Sequence, residues 1–201
     1  RMAEADAPFG GDRNATAAVL FTDVVGFTLW AETRDPAEVM RLLREVHALT
    51  ADEVFRAGGV LDKFIGDGAM ATFGAAAPTA PAEAARRALS CADAILAGLG
   101  DLNRRRAGRG EAPVRLSLGL HLGEVMVGDV GAAGRMELAS VGDAVNVSSR
   151  LEALTRDLGC AACASDALVR AAGGPPPGWR LAGDRALPGR RGHATVWTRD
   201  P

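Results

Sequence analysis

Apolar residues recur along this chain with two periods, and the alternation between them predicts an α+β domain. Ala18 to Thr22 is a short apolar run closed by Asp23, the pattern of a buried strand ending on an acid. Val24 to Thr28 leads through Gly26 into a helix start. From Pro36 to Phe55, Val39, Leu42, Leu43, Val46, Leu49 and Val54 fall at helical spacing, with Asp35 placed to cap and Pro36 in the first turn. Leu61, Phe64 and Ile65, then Met70 to Phe73, are apolar segments flanking Gly66-Asp67-Gly68. This predicts a hairpin with Asp67 at its tip and two glycines supplying the backbone freedom of a tight connection. A second helix is expected over Pro81 to Leu102, built on Ala84, Ala85, Ala88, Leu89, Ala92, Ile95 and Leu99. A strand pair is expected over Val114 to Leu122 and Glu124 to Val130, joined at Gly123.

Strand, helix, two strands, helix, strand is the order of a ferredoxin-like βαββαβ sandwich with its helices on one sheet face. Additional C-terminal elements follow. They are a short strand over Arg135 to Val141, a helix over Gly142 to Leu158, a small helix over Ser165 to Ala172, and strands near Trp179 to Ala182 and Ala194 to Thr198. Residues 1–16 are rich in Ala, Gly and Asp without periodicity and read as a flexible lead-in to one domain over 17–201.

The chain has 201 residues, a formal charge of -2 and no long uninterrupted apolar run. One domain with a full core fits this, without signal peptide or membrane span. Near-neutral charge argues against nucleic acid as a partner. Cys91, Cys160 and Cys163 are odd in number and share no metal spacing with a histidine, so they read as small core residues in a reducing compartment. His47, His121 and His193 make no metal site by spacing. Arg104, Arg105, Arg106 and Arg109 read as a solvated loop after a helix C-terminus, where cations are favoured. Trp179 and Trp197 read as core or interface anchors.

Candidate chemistry narrows to three residues. Asp23 and Asp67 end otherwise apolar strands, and a shared divalent ion satisfies two such acids; a helix cap is the simpler reading of Asp23. Lys63 is the only lysine in a chain that otherwise uses arginine for positive charge. It lies at an even spacing from Asp67, so a strand directs both side chains to one face. A compact ammonium kept for a purpose and an edge-strand guard are the competing readings.

The segments FTDVVGFT, DKFIGDGAMATF, GLHLGEVMVGDVG and GDAVNVSSRLE, in this order, resemble the motifs of the class III nucleotidyl cyclase catalytic domain, the adenylyl and guanylyl cyclase family. The similarity runs from about Ala17 to Leu158 and more weakly to Trp197. The resemblance implies the class III form of the ferredoxin-like sandwich and conversion of ATP to 3',5'-cyclic AMP and pyrophosphate. It assigns Asp23, Asp67 and the Val24 carbonyl to two Mg2+ or Mn2+ ions, and Phe27 and Thr28 to the substrate. Lys63 falls at the purine-selecting position, and Asn146 and Arg150 at those of the ribose-orienting Asn and the Arg on the reacting phosphoryl group. It further implies a homodimer with two shared sites, each taking its metal acids from one chain and Lys63, Asn146 and Arg150 from the other. A cytoplasmic location follows, as a free-standing enzyme or as the catalytic domain of a longer, regulated and membrane-anchored parent.

Three positions depart from the pattern. Ala139, with Ser140 beside it, stands where adenylyl cyclases usually carry the Asp or Thr that completes adenine reading. Ser117 replaces an arginine of many relatives, with Arg115 on the same strand face as a substitute. Pro188 in LPGRRG replaces a late phosphate-binding lysine, with Arg190 and Arg191 as substitutes. These departures leave open a catalytically silent cyclase-like module for dimerisation and nucleotide sensing. An unrelated ferredoxin-like metal-binding protein is the more distant alternative.

Overall fold

Alternation along β1 (Arg13–Val24) divides the core between the two faces of a sheet. Ala18, Leu20 and Val24 pack with Leu42, Val46 and Val54 of α2 (Pro36–Arg56) and with Ala88, Leu89, Ala92 and Ile95 of α3 (Pro81–Gly108). Ala17 and Val19 face the other way, towards Met70, Val125, Val127 and Ala144. The computed structural model describes residues 12–132, 135–187 and 192–201. The described elements are β1, α1 (Phe27–Ala31), α2, β2 (Val60–Ile65), β3 (Gly68–Phe73), α3, β4 (Leu116–Ala132), β5 (Arg135–Val141), α4 (Asp143–Leu158), β6 (Ala162–Ser165), α5 (Asp166–Ala171), β7 (Trp179–Ala186) and β8 (His193–Arg199).

The strands form one sheet in the order β2-β3-β1-β4-β6-β8-β7, with β5 paired to β4. The segment β2-β3-β1-β4 is antiparallel throughout and realises the expected ferredoxin-like core. Among the side chains that fill it, Leu20, Phe73, Leu89, Ile95, Leu118 and Leu120 are fully buried. Each such burial stabilises the fold by about 1.5–3 kcal/mol.

α2 and α3 share one sheet face, as expected of the ferredoxin-like core. α4 lies on the face opposite α2 and α3, and the close approach explains a glycine of the third motif: a Cβ on Gly119 would come within 2.2 Å of Ser148 O and Glu152 N. Ser148 fastens the contact, its hydroxyl lying 2.8 Å from both Val19 O and Gly119 O.

Three expectations change. β4 is one continuous strand, paired residue for residue with β1 from Arg13↔Val127 to Val24↔Leu116, so Gly123 joins nothing. A Cβ there would meet Ala144 Cβ at 3.0 Å, which ties this glycine to helix packing as well. α3 runs on to Gly108, because Arg104 to Arg106 are good helix formers and Arg106 is buried against Glu45 and Glu111 at 3.5 and 3.0 Å rather than solvated. β1 begins at Arg13, inside the expected lead-in; the Arg13 guanidinium holds Ala75 O and Ala76 O. β6, a strand not expected from the sequence, pairs parallel to β4.

Cys91 and Cys163 are buried and Cys160 is half-buried, all three as free thiols. Trp179 is buried and donates to Asp93 at 3.2 Å, and Trp197 donates to Asp166 at 3.1 Å, in keeping with anchors. Among the described residues no helix is long and apolar enough to cross a membrane.

Candidate active site

The end of β1 and the β2–β3 turn bring two acids together. At the turn only Gly66 uses positive φ, at 61°. Gly68 serves instead for close approach, since a Cβ there would sit 2.2 Å from Thr22 O and 3.2 Å from Asp23 Oδ1. Any larger residue would push the turn off β1 and part the acids. Asp67 is drawn over the strand end by the Val24 N–H, which donates to its Oδ2 at 3.1 Å. Beyond Val24 the Val25 N–H donates to Arg115 O at 2.9 Å, and Gly26, at φ 75°, turns the chain into the short α1 that Phe27 and Thr28 open.

Asp23 is the perturbed acid. Burial, the charge of Asp67, a hydrogen bond with Asp67 and the charge of Glu152 all raise its pKa, against a lowering by Arg156, and the balance pushes it up to about 7. The Arg156 guanidinium from α4 lies 2.7 Å from Asp23 Oδ2 and 3.1 Å from Glu152 Oε1. Glu152 is buried and accepts from the Ser117 hydroxyl, which also lies 3.3 Å from Asp23 O.

Two neighbouring carboxylates, one kept from ionising first by burial and then by the charge of the other, are a donor set that a divalent cation relieves. Among the described residues no group of three or more His, Cys, Asp or Glu forms a metal cluster. Magnesium ordinarily takes one or two carboxylates and completes its shell with water and substrate phosphates, so the pair fits such an ion. A pH dependence follows. With a folded pKa near 7 against an ordinary 3.8, Asp23 is protonated in the folded chain but ionised in the unfolded one between these values. Its contribution to stability is therefore complete below about pH 4 and is lost as pH rises through 7. Metal-free protein should lose Tm from this group between pH 5 and 8, and Mg2+ or Mn2+ should raise Tm more at pH 8 than at pH 6, because binding requires the carboxylate. A metal-induced Tm shift independent of pH would contradict the pairing.

Lys63 is exposed on β2 opposite Met70, whose side chain packs with Val19, and so lies on the Asp23 face. Its ammonium pairs with Asp62 Oδ1 at 3.1 Å rather than with Asp67. Asp62 sits at a bulge with its side chain almost buried, and its Oδ2 accepts the Ser140 N–H at 3.1 Å. One carboxylate thus links Lys63 to the strand bearing the buried Ala139 and Ser140.

Asn146 and Arg150 lie on α4 away from its buried face of Val147, Ser148 and Leu151, with Asn146 exposed. Among the described residues no hydrogen bond or ion pair joins Lys63, Asn146 or Arg150 to Asp23 or Asp67. Arg115 is exposed and, with Arg156, Val25 and Gly26, lines a cavity of about 650 Å³ between α3, the start of β4 and the end of α4. Pro188, Arg190 and Arg191 lie outside the described residues. Sequence reasoning missed Asp62, Glu152 and Arg156; the Glu152-to-Arg156 spacing, an acid one turn before a base on a helix, was the available signal for the last two.

Residues 11–161 match the family model described as the adenylate and guanylate cyclase catalytic domain. An adenylate cyclase of Anabaena cylindrica is 33% identical over 153 residues, 76% of this chain and 30% of the relative. Adenylate cyclase 1 of Rhizobium meliloti (strain 1021) is 37% identical over 150 residues, 75% of this chain and 22% of the relative. The chain thus spans less than a third of the length of either. The crystal structure of the guanylyl cyclase Cya2 superposes with a TM-score of 0.83 at 28% identity, covering 94% of this chain and 93% of that one.

Proposed function

The chain belongs to the adenylate and guanylate cyclase catalytic-domain family, and from that premise we propose that it is an adenylyl cyclase acting as a homodimer with divalent metal ions. The observation that carries the reading is the convergence of Asp23 and Asp67, with Asp23 raised to about 7 by burial and its neighbour. In the reaction the ribose 3'-oxygen bonds to the α-phosphorus, the bond from that phosphorus to the bridging oxygen breaks, and pyrophosphate leaves as the hydroxyl proton passes to solvent. Asp23, Asp67 and the Val24 carbonyl would hold two divalent ions, whose charge would favour ionisation of the 3'-hydroxyl and departure of the pyrophosphate.

The remaining work falls to side chains. Lys63 donates to the unprotonated N1 of adenine, Asn146 orients the ribose, and the Arg150 fork follows negative charge onto the equatorial oxygens of the α-phosphoryl group. Phe27 and Thr28 border the triphosphate. Among the described residues Asn146 and Arg150 make no hydrogen bond or ion pair with the acid pair, which is compatible with a site completed by a second copy. Exposed Val60, Ile65, Met126 and Val141 offer apolar surface for it. The adenylate cyclase relatives support ATP as substrate, while the likeness to a guanylyl cyclase structure makes nucleotide choice a matter for Lys63 and Ala139.

Subunit exchange tests the shared site. Inactive Asp67→Asn and inactive Arg150→Ala proteins, mixed and allowed to re-dimerise, should regain part of the cyclase activity, because one of the two heterodimer sites then carries neither lesion. Demonstrated heterodimers without recovered activity would place all the groups on one chain.

A further inference from the structure

Among the described residues Arg156 is the one cation in ion-pair contact with either acid of the site. It is anchored from behind by the buried Glu152, which Ser117 in turn holds, and it faces the 650 Å³ cavity that it lines with Arg115, Val25 and Gly26. A divalent ion on Asp23 competes for the carboxylate that Arg156 holds at 2.7 Å, and like charges repel. Glu152 keeps the arginine at the site while the guanidinium turns towards the cavity. The anion that arrives with the metal is a polyphosphate, and a planar fork of donors suits phosphate oxygens.

We propose that Arg156 is a two-position substrate-binding residue: it holds the Asp23 carboxyl while the site is empty and moves onto the β- and γ-phosphate oxygens when a metal–nucleotide complex binds. This rests on the functional reading above and adds to it a phosphate contact made from α4, joined through Glu152 to Ser117. The competing role is a strut that pins the end of α4 to β1 and never meets substrate.

Calorimetric titration with Mg2+ alone and with Mg2+ plus pyrophosphate separates the two roles. In Arg156→Ala and in Arg156→Gln, whose amide keeps a donor beside Glu152, Mg–pyrophosphate should bind about tenfold or more weaker than to wild type. Mg2+ alone should bind as well or better, because its competitor is gone. Arg156→Lys, which keeps the charge without the fork, should recover part of the loss. If Arg156→Ala fails to fold, the Gln and Lys variants decide. Wild-type Mg–pyrophosphate affinity in folded Arg156→Gln, with only Tm lowered, would show a strut and overturn this inference alone. A wild-type protein that binds no Mg–pyrophosphate would overturn the functional reading and this inference with it.

Discussion

Asp67→Asn is expected to leave a folded protein whose cyclase turnover falls by about a hundredfold or more, roughly 2.7 kcal/mol of lost transition-state stabilisation. The amide oxygen still accepts the Val24 N–H, so the turn keeps its tie to β1. The negative charge beside Asp23 disappears, and with it two of the causes that raise the Asp23 pKa. Metal-free Tm should therefore hold or rise while the Mg2+-induced increase shrinks. That pair of readouts distinguishes a lost metal charge from a damaged fold. Asp23→Asn should lose activity to the same degree, though it also gives up the ion pair with Arg156. Wild-type kcat in either variant would remove the acids from the mechanism.

Lys63→Glu is expected to reduce kcat/KM for ATP by about a hundredfold. Guanylyl cyclases of this family usually carry an acid at this position, and an acid cannot donate to adenine N1. The substitution also sets a second negative charge beside the nearly buried Asp62, so Lys63→Met, which removes the donor without adding repulsion, is the cleaner partner. Ala139 supplies no polar side-chain group for the adenine amino group, so wild type should show a raised KM for ATP and measurable turnover of GTP. Ala139→Thr should lower that KM or sharpen the ATP-to-GTP ratio by up to about tenfold, roughly 1.4 kcal/mol. Steady-state kinetics on both nucleotides across these variants are the check. An intact ATP value in both Lys63 variants would separate the lysine from base selection.

What could be read from the chain alone was local. Helical spacing from Pro36 placed α2 to within a residue of its observed end, and the glycine-bracketed acid placed the hairpin tip that carries Asp67. Glycines whose reason lies in a distant partner were not legible: Gly68 reads as turn freedom, and Gly119 carries no local signal. Gly68 is set by Thr22 O and Gly119 by Ser148 O, and no spacing within a segment announces a contact between a turn or strand and an element far along the chain. Gly123 was taken for a break for the same cause. The arginine run after Leu102 has the composition of a loop, but Arg106 finds Glu45 on α2, which only the packing of α2 on α3 supplies. At the site, Asp23 and Asp67 were legible as strand-end acids. Glu152 and Arg156 belong to it only because α4 crosses β1 on the face opposite the other long helices.

The most direct measurement is product formation by the purified wild-type protein given ATP or GTP, with Mg2+ and with Mn2+, following cyclic nucleotide and pyrophosphate together. The account predicts cyclic AMP and pyrophosphate in equal amounts, with kcat/KM for ATP above that for GTP under both metals. A higher value for GTP would contradict the adenylyl assignment, and absence of either cyclic product from dimeric, metal-loaded protein would leave the chain a catalytically silent member of the family.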